Sequence, residues 1–153
     1  MIITDKCKLD AWDDRAIRRC FYSMNPAEQK MIWGDGEFHR CGEKWYLAMT
    51  GQETHLEVVG CLIVSKASLE DLGDVEMLTI FVHPEHRRKH IAQSLIEIAK
   101  RKAETDWLMA KVRQFNNSSL QLFLDCGFFP IETDKYNHLC VDDQIIMASE
   151  NWK

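Results

Sequence analysis

The apolar residues of this chain follow two different spacings, and the spacing predicts where strands and helices lie. Short runs rich in branched and aromatic side chains indicate strands, most clearly at residues 44–50, 56–65, 75–82 and 107–112. Apolar residues three and four positions apart indicate amphipathic helices, most clearly at residues 9–24 and roughly 89–105. Weaker signals predict short strands at 2–4, 128–132 and 139–148 and short helices at 26–33 and 117–126.

The connections between these segments predict an α+β domain with a mixed sheet. A strand, a helix and a strand in succession over residues 75–112 imply a parallel pair with the helix packed on the sheet. The polar residues 51–55 suit a hairpin turn, as do residues 134–137. Gly60, inside a predicted strand, indicates a bulge or a close contact. Because the chain has no internal repeat and no obvious linker, residues 1–153 are predicted to form a single domain.

A basic turn follows the third of the clear strands. Pro84 ends that strand, because proline has no N–H to donate to a sheet. Arg87, Arg88, Lys89 and His90 then lead directly into the long helix. Backbone N–H groups and the positive end of the helix dipole favour an anion at such a junction. We therefore expect a phosphate-binding turn here.

Composition narrows the classes of protein to consider. A chain of 153 residues makes about one domain with its own core, and the formal net charge of −5 argues against a dedicated nucleic-acid binder. That charge is compatible with a cationic amine substrate. No apolar stretch approaches the roughly 20 residues that span a bilayer, and the N-terminal segment lacks the layout of a signal peptide. We therefore expect a cytoplasmic protein with no membrane or nucleic-acid partner.

The chain offers little for a metal site. Its six cysteines form no C-x-x-C pair, so a compact zinc site is not expected and the thiols are predicted to be free and mostly buried. The spacing of His83, His86 and His90 invites a metal hypothesis, but Pro84 keeps the first pair off a regular helix face. The same residues also lie in the turn assigned to phosphate. No metal is expected.

The strand, turn and helix resemble the acyl-CoA-binding motif of the GNAT superfamily of N-acyltransferases. The family pattern is a strand ending in V-x-P, then Arg or Gln, two residues, Gly, any residue, and Gly or Ala. The chain matches this pattern at Val82, Pro84, Arg87 and Ala92. It differs at His90, where the family usually has glycine. A side chain there would crowd the phosphates, or it would keep a negative φ and point outward, or it would contact a phosphate itself.

Residues 116–128 resemble the family's later motif, which is an Asn, a short helix with an aromatic residue, and Gly-Phe. Asn116 or Asn117 is predicted to cap this helix, and Gly127 to end it. Phe123 stands where the family usually has a tyrosine that acts as general acid toward the leaving thiolate. Phenylalanine has no proton to give, so this departure leaves the general acid open.

The resemblance implies a GNAT-like fold: a mixed, mostly antiparallel sheet of six to seven strands with a splayed parallel pair, flanked by about four helices. It also implies an N-acyltransferase, in which a primary amine attacks the thioester of acetyl-CoA directly. Acetyl-CoA would be the co-substrate, and the acceptor would be a small molecule or a protein amine. The alternative is a GNAT-fold protein that no longer catalyses and serves as a binding or structural module, because His90 and Phe123 depart from the motifs.

The resemblance further implies roles for individual residues. A backbone N–H near Phe81 or Val82 would polarise the thioester carbonyl. The expected contacts to the diphosphate come from Arg87, Arg88, Lys89, His90, Ile91 and Ala92. The remaining predicted cofactor contacts are Asn116 and Phe123. Asn116 would also order the leaving group or a water, unless it only caps its helix.

The residues offer several candidates for the groups that transfer protons. Glu76 is the predicted general base, because it is the carboxylate within the central strand and apolar neighbours raise the pKa of a carboxyl group. Its alternative is a residue at the solvated start of the strand. Asp74 and His138 are reserve bases, and the acid is open among Tyr136, Ser119 and water.

The acceptor site and any oligomer rest on weaker signals. Residues 31–45 are expected to form one wall of the acceptor site. The candidates for substrate choice, which packing alone would also explain, are Trp33, Phe38 and His39. The final strands and Trp152 would suit a homodimer.

Overall fold

Seven strands and four helices make up the part of the chain that the computed structural model describes, residues 1–52, 54–132, 136, 139–140 and 143–151. The strands are β1 (Ile2–Lys6), β2 (Lys44–Thr50), β3 (Glu57–Leu69), β4 (Gly73–Val82), β5 (Trp107–Arg113), β6 (Phe129–Ile131) and β7 (Gln144–Glu150). The helices are α1 (Ala11–Tyr22), α2 (Pro26–Ile32), α3 (Ile91–Lys102) and α4 (Asn117–Asp125).

The strands form one sheet in the order β1-β2-β3-β4-β5-β7-β6. Neighbouring strands pair antiparallel except β4 and β5, which are parallel and are connected through α3. This is the strand, helix and strand arrangement that the sequence predicted. The α+β class, the mixed and mostly antiparallel sheet and the helix number are therefore confirmed.

Capping side chains explain where two of the helices begin. The Asp13 N–H donates to Asp10 at 2.8 Å and the Asp10 N–H donates to Asp13 at 3.1 Å, which makes a capping box at α1. Asn25 caps α2 by accepting from the Glu28 N–H at 2.9 Å. Helix α3 differs, because its N-cap residue His90 makes no side-chain capping bond. The first turn of α3 thus begins without the usual side-chain acceptor.

Apolar side chains pack on both faces of the sheet, and alternate strand residues belong to opposite faces. The face under α1 includes Leu47, Cys61, Ile63 and Phe81, packed against Ile17, Cys20 and Phe21. The face under α3 and α4 includes Leu78, Ile80, Leu108, Ala110 and Val112, packed against Leu95, Ile96 and Phe123. Even-numbered residues of β4 and β5 therefore face α3 and α4, and odd-numbered ones face the opposite side. No helix among the described residues is long and apolar enough to cross a membrane.

Some element boundaries differ from the prediction. β3 continues to Leu69 and β4 starts at Gly73, beyond the predicted strand ends at residues 65 and 75, because these residues remain paired to each other. β7 begins at Gln144 rather than at residue 139. The predicted hairpin turn at 134–137 lies outside the described residues apart from Tyr136.

Gly60 brings the sheet and α3 unusually close together, as its place inside a strand predicted. The register of β2 and β3 shifts between Ala48 and Met49, which places a β-bulge beside Gly60. A Cβ at position 60 would lie 2.9 Å from Ile91 Cγ2 and 3.3 Å from Leu95 Cδ1. Glycine therefore lets the first turn of α3 rest directly on the sheet.

Candidate active site

The turn between β4 and α3 has a backbone suited to an anion. After β4, a short 3₁₀ turn covers Pro84–His86, and then both Arg88 and His90 take positive φ angles of 64° and 59°. His90 is left-handed and the next residue, Ile91, is helical. Such a left-handed and right-handed succession turns consecutive N–H groups toward one side, which forms an anion-binding concavity. This concavity continues into the uncapped N-terminus of α3.

His90 takes the backbone conformation of the glycine it replaces. Its φ is positive, so the alternative in which His90 keeps a negative φ is wrong. The imidazole is exposed, and its Nδ1 lies 3.2 Å from Oε1 of Gln93 on α3. The backbone shape of the turn is therefore kept without glycine, at the cost of left-handed strain.

The basic side chains of the turn have different surroundings. Arg87 forms an ion pair with Glu28 of α2, and its Nη2 donates to the Val82 carbonyl at 3.3 Å. Arg88 and Lys89 are exposed. Arg87 thus ties the turn to α2, a link that the sequence did not reveal, while the other two cations lie at the surface beside the turn.

A cleft opens between β4 and β5. The parallel pairing extends from Val75 and Trp107 only to Met77 and Met109. Beyond this point the two strands separate around a cavity of about 230 Å³. The cavity is lined by Met31, Ile32, Trp33, Gly34, Met77, Leu78, Thr79, Ile80, Ala110, Lys111, Val112, Arg113, Asn116, Ser119, Phe123, Leu139 and Gln144. The central parallel pair is therefore splayed, as the resemblance implied.

The register of β3 and β4 decides which backbone groups face the cleft. His83 donates its N–H to the Val59 carbonyl at 2.8 Å, while Val82 stands opposite Gly60. In an antiparallel ladder this makes the odd-numbered residues of β4 bond to β3. The N–H groups of Ile80 and Val82 consequently point toward the separated β5, whereas the N–H of Phe81 points toward β3. Of the two donors that the resemblance implied, Val82 has the suitable direction.

Helix α4 contributes three residues to the cleft wall. Asn116 caps the helix, accepting from the Ser119 N–H at 3.2 Å, and both residues line the cavity. Phe123 also lines the cavity, is 2% exposed, and packs edge-on against Phe128 with ring centroids 5.1 Å apart. Asn116 is thus both a cap and a cleft residue, and Ser119 supplies a hydroxyl one helical turn from the phenyl ring.

Glu76 lies apart from the cleft. Its side chain is on the α3 face of β4, is 6% exposed, and is not among the cleft residues. Its Oε2 accepts hydrogen bonds from Thr105 Oγ1 at 2.9 Å and from the Glu104 N–H at 3.2 Å. The carboxylate therefore ties the end of α3 to β4. The solvated strand start considered as its alternative is wrong, and the catalytic role stays a prediction that this placement disfavours.

The reserve groups are also occupied elsewhere. Asp74 accepts a hydrogen bond from the Ser68 hydroxyl at 2.5 Å beside the β3–β4 turn. The Tyr136 hydroxyl donates to Asp71 at 2.9 Å. His138 lies outside the described residues.

The charged side chains of the cleft are both cationic. Lys111 and Arg113 alternate along β5 with Ala110 and Val112, which belong to the α3 and α4 core. Their side chains therefore project from the opposite face, where α2 forms the other wall. Among the described lining residues there is no carboxylate, imidazole, thiol or phenol. This pair was not among the predicted site residues, although basic and apolar residues alternate at the end of β5.

The expected acceptor wall has mixed roles. Trp33 lines the cleft, whereas Phe38 is buried against Phe21 with ring centroids 5.9 Å apart. His39 stacks on Trp33 at 5.4 Å, and its Nε2 lies 2.7 Å from Asp35 Oδ2. Packing thus explains Phe38, while Trp33 lines the cleft and His39 packs against Trp33.

A comparison of the sequence with known families agrees with the splayed strand pair, the turn suited to an anion and the matching motifs. Residues 9–128 match the acetyltransferase (GNAT) family. The chain belongs to this family. Among curated proteins no relative matches. Among the described residues, no three His, Cys, Asp or Glu side chains are grouped to hold a metal ion.

Solved structures show how widely this GNAT fold is shared. The GNAT domain of PAT from S. lividans has a TM-score of 0.72 at 14% identity, covering 97% of this chain and 89% of that one. A GNAT-family acetyltransferase of Staphylococcus aureus has a TM-score of 0.70 at 14% identity, covering 99% and 100%. yncA from Salmonella typhimurium, solved with its cofactor acetyl-CoA, has a TM-score of 0.65 at 15% identity, covering 99% and 95%. At these identities the likeness establishes the fold.

Proposed function

We propose that this GNAT-family chain is an N-acyltransferase that moves an acyl group, most simply acetyl, from acyl-CoA to a primary amine by direct attack. The observation that carries the proposal is the cleft between β4 and β5, which opens beside the left-handed turn at the start of α3. A thioester placed in the cleft and a diphosphate at the turn would lie along one continuous path.

The turn would hold the diphosphate of acyl-CoA. Backbone N–H groups from Arg87 to Ala92 would donate to the phosphate oxygens, and the N-terminus of α3 adds a favourable dipole. Arg88 and Lys89 would supply charge at the surface. Arg87 would act mainly by fixing the turn, since its guanidinium is already paired with Glu28.

The cleft backbone would position and polarise the thioester. The N–H groups of Ile80 and Val82 face the space that β5 leaves, so the pantetheine amides can pair with β4 as an added strand. One of these donors, Val82 in our assignment, would bond the thioester oxygen as negative charge develops. Such a donor contributes more in the transition state than in the ground state, which is what accelerates transfer.

Proton transfer would use groups other than those usual in the family. The departing thiolate needs a proton, and Ser119 or a water ordered by Asn116 would supply it, because Phe123 has none. The amine must be neutral to attack, and His39, held by Asp35 and packed against Trp33, is our candidate base in place of Glu76.

Two measurements test the proposal. Calorimetry with acetyl-CoA should give saturable binding, and thiol release with an amine panel should show turnover. Replacing Arg88 and Lys89 together by Gln should weaken acetyl-CoA binding about tenfold, since charge-assisted phosphate contacts are lost. The matched control is Arg15→Gln with Arg19→Gln, exposed on α1, which should bind as the unmodified protein does.

The outcomes separate the rival functions. No binding at high micromolar acetyl-CoA would defeat the proposal. Binding without transfer to any amine would favour the alternative of a GNAT-fold binding module. Its specific support is that the described cleft residues include no carboxylate, imidazole, thiol or phenol. The homodimer and the cytoplasmic location stay predictions, and Trp152 lies outside the described residues.

A further inference from the structure

The side chain of Arg113, at the C-terminal end of β5, has an ion-pair partner at one nitrogen of its guanidinium but not at every nitrogen. Its Nη1 forms an ion pair with Asp143 just before β7. Its Nε is buried and has no hydrogen-bond partner within the described part of the chain. A buried N–H without a partner is destabilising, so such a group is unusual in a folded protein unless a ligand completes it.

The free edge of this guanidinium is the one that recognises carboxylates. The Nε–H and one Nη2–H lie on the same side of the planar group and can donate in parallel to both oxygens of a carboxylate. Asp143 occupies Nη1 and leaves the Nε–H without a partner among the described residues. The Nη2 lies against Gly34, where an added Cβ would be only 2.8 Å away. Glycine at position 34 therefore leaves space for Nη2, which any larger residue would crowd.

Lys111 strengthens the positive field on the same face of β5. It lines the cleft two residues before Arg113, so both side chains project toward α2. Asp143 pairs with Arg113, and among the described lining residues of the cleft there is no carboxylate beside Lys111.

The position of these cations separates them from the diphosphate site. Helix α3, whose first turn would hold the diphosphate, packs on the face formed by Leu78, Ile80 and Val112. Arg113 and Lys111 project from the other face. Their natural ligand is thus the second substrate rather than acyl-CoA.

We propose that Arg113, supported by Lys111, binds a carboxylate of the acceptor, and that the acceptor is an amine carrying this carboxylate a few bonds from its nitrogen, as amino acids do. This rests on the proposed function. It narrows the expectation of a cationic amine to an amine that also carries a carboxylate. The same cations favour the neutral form of the bound amine, which is the form that attacks.

Paired acceptors test the proposal. The probes are free L-amino acids and their C-terminal amides, compared by kcat/KM from thiol release at saturating acetyl-CoA. We expect at least one acid to exceed its amide by about tenfold or more, the value of a bidentate charge-assisted contact. In Arg113→Gln the ratio of kcat/KM for the acid to kcat/KM for the amide should fall toward one. Arg113→Lys should keep only part of the preference, since the charge remains but the paired N–H donors are lost.

Two controls separate recognition from structure. Asp143→Asn removes the same ion pair but leaves the paired N–H donors, so the preference for the acid should persist, whereas a merely structural role of Arg113 would make the two variants alike. Arg15→Gln on the exposed face of α1 should change nothing. Acetyl-CoA affinity should be equal in all variants, and a loss in Arg113→Gln would overturn the assignment to the acceptor.

Direct binding distinguishes this inference from the proposed function. Calorimetric titration of the amino acids into protein loaded with CoA needs no turnover. Binding of an acid that is lost in Arg113→Gln, without any acyl transfer, would support the carboxylate site and defeat the enzyme proposal. Equal binding or turnover of amides and acids, or binding of neither while polyamines are acylated, would overturn the carboxylate site.

Discussion

Replacing Gly60 by Ala should weaken both the fold and acyl-CoA binding, because this position sets how closely α3 approaches the sheet. The new Cβ would lie 2.9 Å from Ile91 Cγ2, whereas carbon atoms pack best at about 3.5–4.0 Å. The first turn of α3 must therefore retreat by roughly 0.6 Å or more. Overpacking of this kind costs about 1–3 kcal/mol, and the gain from removing a strand glycine returns roughly 0.5–1 kcal/mol.

The retreat should be visible in two assays. Urea unfolding should show a net loss of roughly 0–2.5 kcal/mol. Calorimetry should show acetyl-CoA binding weakened roughly three- to tenfold, because under the proposed function the displaced turn would hold the diphosphate. Gly73→Ala is the control. Its φ of +72° makes the substitution strained, but nothing lies within 4 Å of the added Cβ. It should lose about 1–2 kcal/mol of stability without changing affinity. Unaltered acetyl-CoA affinity in Gly60→Ala would refute the coupling between the glycine contact and the turn.

Two further predictions concern the left-handed turn and the buried thiols. His90→Gly should leave acetyl-CoA affinity within about twofold, because the backbone already has glycine's conformation. His90→Val should lower the free energy of unfolding in urea by about 1–2 kcal/mol, since a β-branched residue resists a φ near 59°. A Val variant as stable as the unmodified protein would contradict the left-handed conformation of His90. Burial raises the pKa of Cys20 from 9.0 to about 12 and that of Cys61 well above 9.0. The unfolded thiols ionise near pH 9 while the folded ones keep their protons. Their contribution to the free energy of unfolding should therefore be constant below pH 9 and fall as the pH rises toward 12. Cys20→Ala should reduce that slope, and a flat profile in the unmodified protein would contradict the burial of the thiols.

Much of the fold was predictable because it depends on local patterns. The helical spacing of apolar residues in α1 and α3, the capping residues Asp10 and Asn25, and the branched runs of β2 and β4 act within a few residues of each other. The motif from Val82 to Ala92 likewise lies in one continuous segment, which is why the sequence alone identified the family and led to the prediction of a phosphate-binding turn.

The sequence by itself thus determined the elements, their order, the parallel pair around α3 and the membership of the GNAT family. Only the tertiary structure decided the chemistry of the cleft. Whether Glu76 faces a substrate or the Thr105 hydroxyl depends on strand register and on the far end of α3, 29 residues away along the chain. The pairing of Arg113 with Asp143 spans 30 residues, and its contact with Gly34 crosses from one wall of the cleft to the other. Such contacts arise from packing between distant segments, so a pattern that repeats every two or four residues carries no information about them.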